Sequence, residues 1–396
     1  MLTSFSVENY RAFSRRQDID IRPLTLFFGW NSSGKSALIR FLPLLAESVR
    51  VNGTGAPIWL SGDIGRGTTW PELVCKATER DSLRFSLSWN NIKKLHAEWE
   101  IAGSLDGSWQ QARSLFISDG EFEPAHYLLD ETNDACTGLV PSFDFGGQSL
   151  KRFDSIRTKL NQFASQVQWI SGVRVPPPRV ATYGGGTSPT LRPDGRDAVN
   201  HLIAAQLRST ADPLLVATQS FFSALGERLV LDNPAQGVWR VLLHPLNAQR
   251  VSVNLCDTGE GYAQALPVLV ALARARLGGP RILCIEQPEL HLHTRAQVEL
   301  SKLLVSSAND SAKPHILIET HSEILLTGVQ LAIAKGEISS DMVRVYWVES
   351  RPDGTSDAIP VDFDRLGHPT NTAITGAFEE AIQLGQELIT KQMSMN

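Results

Sequence analysis

Along this chain the spacing of apolar and polar positions outlines its elements before any motif is considered. In LTSFSVENYRAF, Phe5 and Val7 alternate with Ser4, Ser6 and Glu8, the period of a half-buried strand, and RPLTLFFGW supplies a second strand that runs into Gly29. From Ser36 the apolar positions take helical spacing through Leu38, Phe41, Leu42, Leu45 and Val49. Pro43 lies inside that stripe; proline has no N–H and its ring crowds the preceding turn, so the helix is predicted to kink or stop short. Residues 55–130 hold short β-like runs, LRFSLSWN, LHAEWEIA and EFEPAHYLL, separated by Gly, Asp and Asn, which predict an antiparallel subdomain inserted after the first helix. A polar stretch at 131–149 reads as loop, 151–165 as helix and VQWISGV as strand. The segment RVPPPRVATYGGGTSP is the strongest breaker in the chain and reads as a functional or hinge loop. Residues 195–229 are predicted helical with Leu202, Leu207, Leu214, Leu215, Phe221 and Phe222 as core, VWRVLLHP and RVSVNLC return to strand, and the runs ILCIE and HILIE read as buried strands.

Composition narrows the function classes. At 396 residues the chain can bury a large core, and 42% hydrophobic with 20% charged residues is an ordinary globular balance. A net charge of −5 gives no global basic surplus, so any binding of DNA requires a local patch or the groove of a dimer. No apolar run approaches the roughly 20 residues needed to span a bilayer, and no leader pattern opens the chain. Cys75, Cys136, Cys256 and Cys284 form no CxxC pair and read as reduced thiols. The expectation is a cytoplasmic protein without a membrane partner. No heptad seam or internal repeat is present, which excludes a long coiled coil.

The most specific motif is GWNSSGKS at 29–36, a full match to G-x-x-x-x-G-K-[ST] with a strand before it and a helix after it. Its backbone is expected to cradle nucleotide phosphates through Gly29, Asn31, Ser32, Ser33, Gly34 and Ala37. Lys35 should meet the β- and γ-phosphates and Ser36 a Mg²⁺ ion, which makes ATP and Mg²⁺ the expected cofactors. Such a site also needs a carboxylate at the end of a neighbouring buried strand. Glu286, ending ILCIE, is placed for it, and Thr320 and His321 after HILIE could reach the same edge.

Taken in order, ENYRAF, GWNSSGKS, DTGEGYAQALPVLVAL, EQPELHLH and ETHSEIL resemble the ABC-type ATPase heads related to RecF and SMC proteins, within an AAA-type ATPase class. Among these the chain resembles the coiled-coil-less bacterial overcoming-lysogenization-defect-like ATPases, to which VRVYWVES and GAFEEA also correspond. The match covers residues 1–50 and 235–396. It implies an α/β P-loop sandwich with a parallel core sheet, an antiparallel β subdomain and a small helical insertion. The nucleotide-binding core would be 1–55 and 235–396, the β-rich insertion 56–180 and the helical insertion 181–234. The resemblance makes Glu286 the metal carboxylate together with Ser36, His321 the sensor of the γ-phosphate, and Arg11 a neighbour of the base or ribose. DTGEGYAQ would be the signature segment, with Thr258, Gly259 and Gly261 touching phosphate bound by the opposite subunit. It departs from LSGGQ and carries Ala263 before Gln264.

Where such heads place a glutamate that polarises water, this chain has Gln287. An amide orients water but takes no proton at neutral pH, although phosphoryl transfer depends mainly on positioning. Glu289, beyond Pro288, is the other candidate base. His291 and His293 with Glu289 admit a zinc reading, but no third His or Cys completes a ligand set. Arg174 and Arg179, which bracket the proline run, are secondary candidates for contact with phosphate, nucleic acid or a partner. The resemblance implies an ATP-driven switch: heads form a homodimer or higher homo-oligomer through bound ATP and hydrolyse it slowly. The switch would control a separate effector, a nuclease or toxin, in a bacterial defence-type system. A non-hydrolysing scaffold and a DNA-repair or chromosome-associated clamp are the alternatives.

Overall fold

The computed structural model describes residues 1–51, 55–90, 94–129, 138–141, 149–248, 250–374, 386–388 and 390–392. GAFEEA and most of the polar stretch 131–149 lie outside them. The chain opens with β1 (Leu2–Glu8), β2 (Gln17–Asp20), β3 (Leu24–Gly29) and helix α1 (Lys35–Arg50). A short turn, α2 (Trp70–Leu73), precedes β4 (Ser82–Asn90), β5 (Lys94–Gly103), β6 (Gln110–Ser118) and β7 (Ala125–Leu128). Then come α3 (Ser149–Gln166), β8 (Val167–Ile170), β9 (Ala181–Thr182), α4 (Ala198–Arg208), α5 (Pro213–Ala224), β10 (Glu227–Ala235), β11 (Val238–Pro245) and β12 (Val253–Asn254). The C-terminal part holds α6 (Glu260–Arg276), β13 (Ile282–Glu286), α7 (Thr294–Ala308), β14 (His315–Glu319), α8 (Glu323–Ala334), β15 (Val343–Ser350) and β16 (Ser356–Val361).

The central sheet has the order β16-β15-β3-β14-β13-β8; all its pairings are parallel except the β15–β16 edge. β3 and β13 are buried at every position, as continuous apolar strands covered on both faces must be. Alternate residues feed two cores. Leu24, Leu26 and Phe28 pack with α4 to α8, whereas Phe27, Cys284 and Leu317 pack with α1, α3 and the antiparallel sheet. That second sheet has the order β2-β1-β4-β5-β6-β7, and its inner face meets α1 through Phe41, whose ring contacts Phe5 at 5.6 Å and Phe85 at 5.5 Å. Among the described residues, no helix is long and apolar enough to cross a membrane.

Four expectations change. β1 and β2, expected in the nucleotide-binding core, are strands of the antiparallel sheet, while β8, expected in the β-rich insertion, is an edge of the central sheet. Long-range hydrogen bonding, which local pattern does not encode, decides both. Pro43 does not end α1, which runs unbroken for 16 residues. Pro43 itself is buried, and the apolar stripe from Leu38 to Val49 holds both halves of the helix against one core. Leu207, expected in the core, is 59% exposed because the last turn of α4 faces solvent.

His201 on α4 is buried, with Nε2 3.5 Å from the Arg274 guanidinium. Burial first, then the charges of Arg274 and Arg208, lower its pKa to about 4. The unfolded chain, with an imidazole near 6.5, therefore takes up the proton first as pH falls. The stability contributed by neutral His201 is complete above the unfolded value and disappears as pH drops through the folded one. Between about pH 7 and about pH 5, wild type should lose more unfolding free energy than His201→Gln. Equal losses in denaturant titrations would refute this.

Candidate functional site

Only residues 30–34 separate the end of β3 from the start of α1, so the chain must reverse sharply. Ser32 (φ 64°) and Gly34 (φ 102°) adopt left-handed backbone to achieve it. Gly34 is the N-cap of α1 and offers no side-chain acceptor, which leaves the N–H groups of Lys35 and Ser36 for an anion. Asn31 and Ser32 are exposed, and Ser33 carries a buried hydroxyl with no hydrogen-bond partner. Ala37 donates its N–H to the Gly34 carbonyl at 3.0 Å. Lys35, 3% exposed, turns its ammonium back onto the carbonyls of Gly29 (3.0 Å) and Trp30 (2.5 Å). Burial lowers its pKa to about 8, with the Glu319 charge opposing that shift. The loop is closed on its own lysine, which a phosphate would have to draw off the two carbonyls.

The expected pair of Ser36 and Glu286 is not what the structure brings together. Ser36 donates its hydroxyl to Glu319 Oε1 at 2.7 Å. Glu286 instead receives Arg40 Nε and Nη2, each at 2.6 Å, with Trp169 Nε1 at 2.8 Å and the Gly172 N–H at 3.3 Å. Glu319 was not singled out from sequence, although HILIE ends in a carboxylate just as ILCIE does. Burial raises its pKa above the ordinary glutamate value, and neighbouring Glu286 adds to the shift; Ser36, Lys35 and Arg40 oppose it. Its Oε2 atom is buried and has no partner.

Beyond β13 the backbone makes a constrained turn. Gln287 sits at φ 40°, held by its N–H on the Glu319 carbonyl (2.8 Å) and by Arg174 Nη2 on its own carbonyl (2.7 Å). Arg174 is 3% exposed, and Gln264 of α6 binds both its Nε and its carbonyl. Burial lowers this guanidinium to about 10, against the pull of Glu289 and Glu286. Glu289 accepts from Thr320 Oγ1 (2.8 Å) and the His321 N–H (3.1 Å), while its Oε2 is buried and unpartnered. Burial raises the Glu289 pKa. His321 has a lowered pKa, chiefly from burial and then from the Lys35 charge. Glu286, Gln287, Glu289, His321 and the loop thus share one end of the sheet.

The signature segment lies against the same turn. A Cβ on Gly261 would come within 2.4 Å of the His291 carbonyl, so this glycine permits close packing of α6 on the turn. Gly259 has open space around it and caps α6, and Thr258 turns its hydroxyl onto the Leu255 carbonyl at 2.7 Å. The two histidines have separate partners: His291 Nε2 lies 3.4 Å from Glu260, and His293 caps α7 through Arg295. Among the described residues no cluster of three His, Cys, Asp or Glu could hold a metal ion. Arg179 is exposed and pairs with Asp257, immediately before the signature threonine. Arg11 donates to the Glu72 carbonyl and Thr68, and it lines a cavity of about 310 Å³ together with Ser36, Ala37, Arg40 and Arg66.

The geometry can be set beside known proteins. Residues 198–326 match a family model described as AAA ATPase domain. An SMC head bound to the C-terminal winged-helix domain of ScpA superposes with a TM-score of 0.55 at 12% identity, covering 92% of this chain and 98% of that one. The chain has the fold of an SMC-type ATPase head. The head from Pyrococcus furiosus, with an extended coiled coil and bound to the C-terminal domain of ScpA, gives a TM-score of 0.52 at 11% identity over 98% of this chain and 99% of that one. A Pyrococcus yayanosii head with a coiled coil and joint gives 0.51 at 9% identity, over 96% and 99%. No curated protein matches the chain. The matched family span runs from α4 to the first turn of α8 and so contains the signature segment, the Gln287 turn and His321. The phosphate loop lies before that span and rests on its own motif and geometry.

Proposed function

We propose that this SMC-type head binds ATP on residues 29–36 and hydrolyses it slowly, using the nucleotide to join two copies of itself. The observation that carries the reading is the closed phosphate loop: a buried Lys35 held only by carbonyls, an uncapped helix N-terminus and an unpartnered Ser33 hydroxyl, all complementary to phosphate oxygens. Mg²⁺, when bound, would neutralise phosphate charge next to Ser36. The unpartnered Glu319 oxygen beside that hydroxyl fits a hard cation. Lys35 would pass from the Gly29 and Trp30 carbonyls to the phosphates, and Gln287, its backbone fixed from two sides, would orient water without taking its proton. Glu289 is the carboxylate available to receive one, its raised pKa bringing it nearer neutrality. His321, beside Lys35, would sense the terminal phosphate.

The exposed N-terminal end of α6, with Thr258 and Gly259, supports a second copy's phosphate docking there. By resemblance, the assembled heads control a separate effector, a nuclease or toxin, in a bacterial defence-type system. One feature favours a second reading, a scaffold that binds but does not turn over: Gln287 where a base is expected.

Titration with a fluorescent ATP analogue and a phosphate-release assay, on wild type and Lys35→Ala, test the proposal. Removing a buried charge-assisted contact should weaken binding about 100-fold, near 2.7 kcal/mol. Phosphate release should be slow in wild type and absent in the variant. Binding by wild type without release favours the scaffold, and equal binding by both proteins refutes the site.

A further inference from the structure

We infer that the chain carries a second ligand site, at the opposite end of the central sheet from the phosphate loop, for a small carboxylate with an apolar body. It is a cavity of about 300 Å³ where α3, the start of β1, the end of β4 and the turn from α6 into β13 meet. A volume of that size is at the lower end of those that hold small organic ligands. Ile282, which opens β13, lines it, whereas Glu286 closes the same strand beside the Gln287 turn. Steps of roughly 3.3 Å per residue put the cavity about 13 Å from that end of the strand, so the nucleotide reading neither needs it nor explains it.

The floor of the cavity is apolar. Leu2 and Trp89 are register partners on β1 and β4, Phe163 comes from α3 and Ile282 from β13. All four are between 2% and 4% exposed and belong to the core that α1 and α3 share with the antiparallel sheet. At this edge the core borders open space instead of a covering side chain. A hydrocarbon body seated there is removed from water against these side chains, which is worth about fourfold in affinity for each methylene.

The charge around that floor has one sign. Lys159 of α3 and Arg281, the residue before β13, line the cavity, and no Asp or Glu does so among the described residues. Neither cationic side chain has a hydrogen bond or ion pair among the described residues. On the adjoining antiparallel sheet, by contrast, Arg16, Arg80, Arg84 and Arg113 each pair with a carboxylate. Lys159, Gln162, Phe163 and Gln166 follow i, i+3, i+4, i+7 spacing, so one face of α3 presents a cation, an apolar ring and two amides to the cavity. The amides can donate to a carboxylate oxygen, and the planar fork of Arg281 matches both oxygens of such a group. A neutral ligand would leave the two cations unanswered, and inorganic phosphate would leave the floor uncovered.

The test is calorimetric titration of the full chain with octanoate, hexanoate and octan-1-ol, on wild type, on Lys159→Gln combined with Arg281→Gln, and on Gln162→Trp. Wild type should bind octanoate, and hexanoate roughly 15-fold more weakly for its two missing methylenes. Octan-1-ol, which has the body without the charge, should bind about tenfold or more weakly than octanoate. The double variant should lose about tenfold or more in affinity for octanoate and keep the wild-type affinity for octan-1-ol. Gln162 is exposed on α3, so a tryptophan there should be tolerated by the fold and obstruct the cavity, weakening octanoate and octan-1-ol alike. Absence of octanoate binding by wild type overturns the inference, and so does equal binding of octanoate and octan-1-ol. Octanoate bound by either variant as tightly as by wild type overturns it as well, since the carboxylate would then be held elsewhere. If the double variant does not fold, Gln162→Trp decides alone.

Discussion

Gly29→Ala should destabilise the protein by about 4 kcal/mol and abolish nucleotide binding, the sum of a steric clash and a backbone conformation closed to other residues. β15 runs beside β3 with Val348 opposite Gly29. A Cβ at Gly29 would lie 2.1 Å from the Val348 carbonyl oxygen, a backbone atom that cannot rotate away, and the φ of 149° is one that L side chains rarely adopt. Relief requires β3 and β15 to separate at the point where the phosphate loop leaves the sheet. Gly259→Ala is the matched comparison: its Cβ would meet nothing within 4 Å, so stability should change by less than about 0.5 kcal/mol. Urea titrations of both variants would decide, and equal losses would show that the clash at Gly29 relaxes cheaply.

These two glycines show what the sequence could and could not convey. Both were legible as members of phosphate-facing segments, because glycine-rich turns before helices are a local signal. Their energetic difference depends on which strand lies alongside, and strand order is non-local. The same limit explains Glu319: HILIE and ILCIE were both readable as buried strands ending in a carboxylate, but only the position of β14 between β3 and β13 brings Ser36 to Glu319. Arg40 went unnoticed because an arginine within a helix reads as a solvated side chain until the face it shares with Ser36 is known. Arg174 was legible only as a secondary candidate for contact with phosphate, nucleic acid or a partner; that its guanidinium is buried and ties the Gln287 turn to α6 depends on how the proline-rich segment folds, which local pattern does not encode. The order of the motifs and the presence of a parallel core were readable, since continuous apolar runs signal strands buried on both faces.

Arg40→Met should cost about 3 kcal/mol, because it leaves Glu286 buried with half of its donors gone. The arginine contributes two bonds of 2.6 Å, and its guanidinium lies 5.8 Å from the centre of the Trp169 ring, itself a donor to the same carboxylate. A buried ion pair adds little net stability over a neutral replacement, but breaking it from one side exposes the full desolvation penalty of the survivor. Arg40→Met combined with Glu286→Gln should therefore recover to within about 1 kcal/mol of wild type, since the amide oxygen retains Trp169 and no unpaired charge remains. Glu286→Gln alone leaves the Arg40 charge unpaired and is also destabilising, so a double-mutant cycle in urea is expected to give a coupling of at least about 2 kcal/mol. Simple additivity would mean that Arg40 stabilises α1 through packing alone. Because the pair spans α1 and β13 one helical turn from Ser36, its loss should also loosen the helix that presents the phosphate loop. Arg40→Met should then weaken binding of the ATP analogue equally in Mg²⁺ and in EDTA, the pattern expected of a residue that supports the loop without touching a cation.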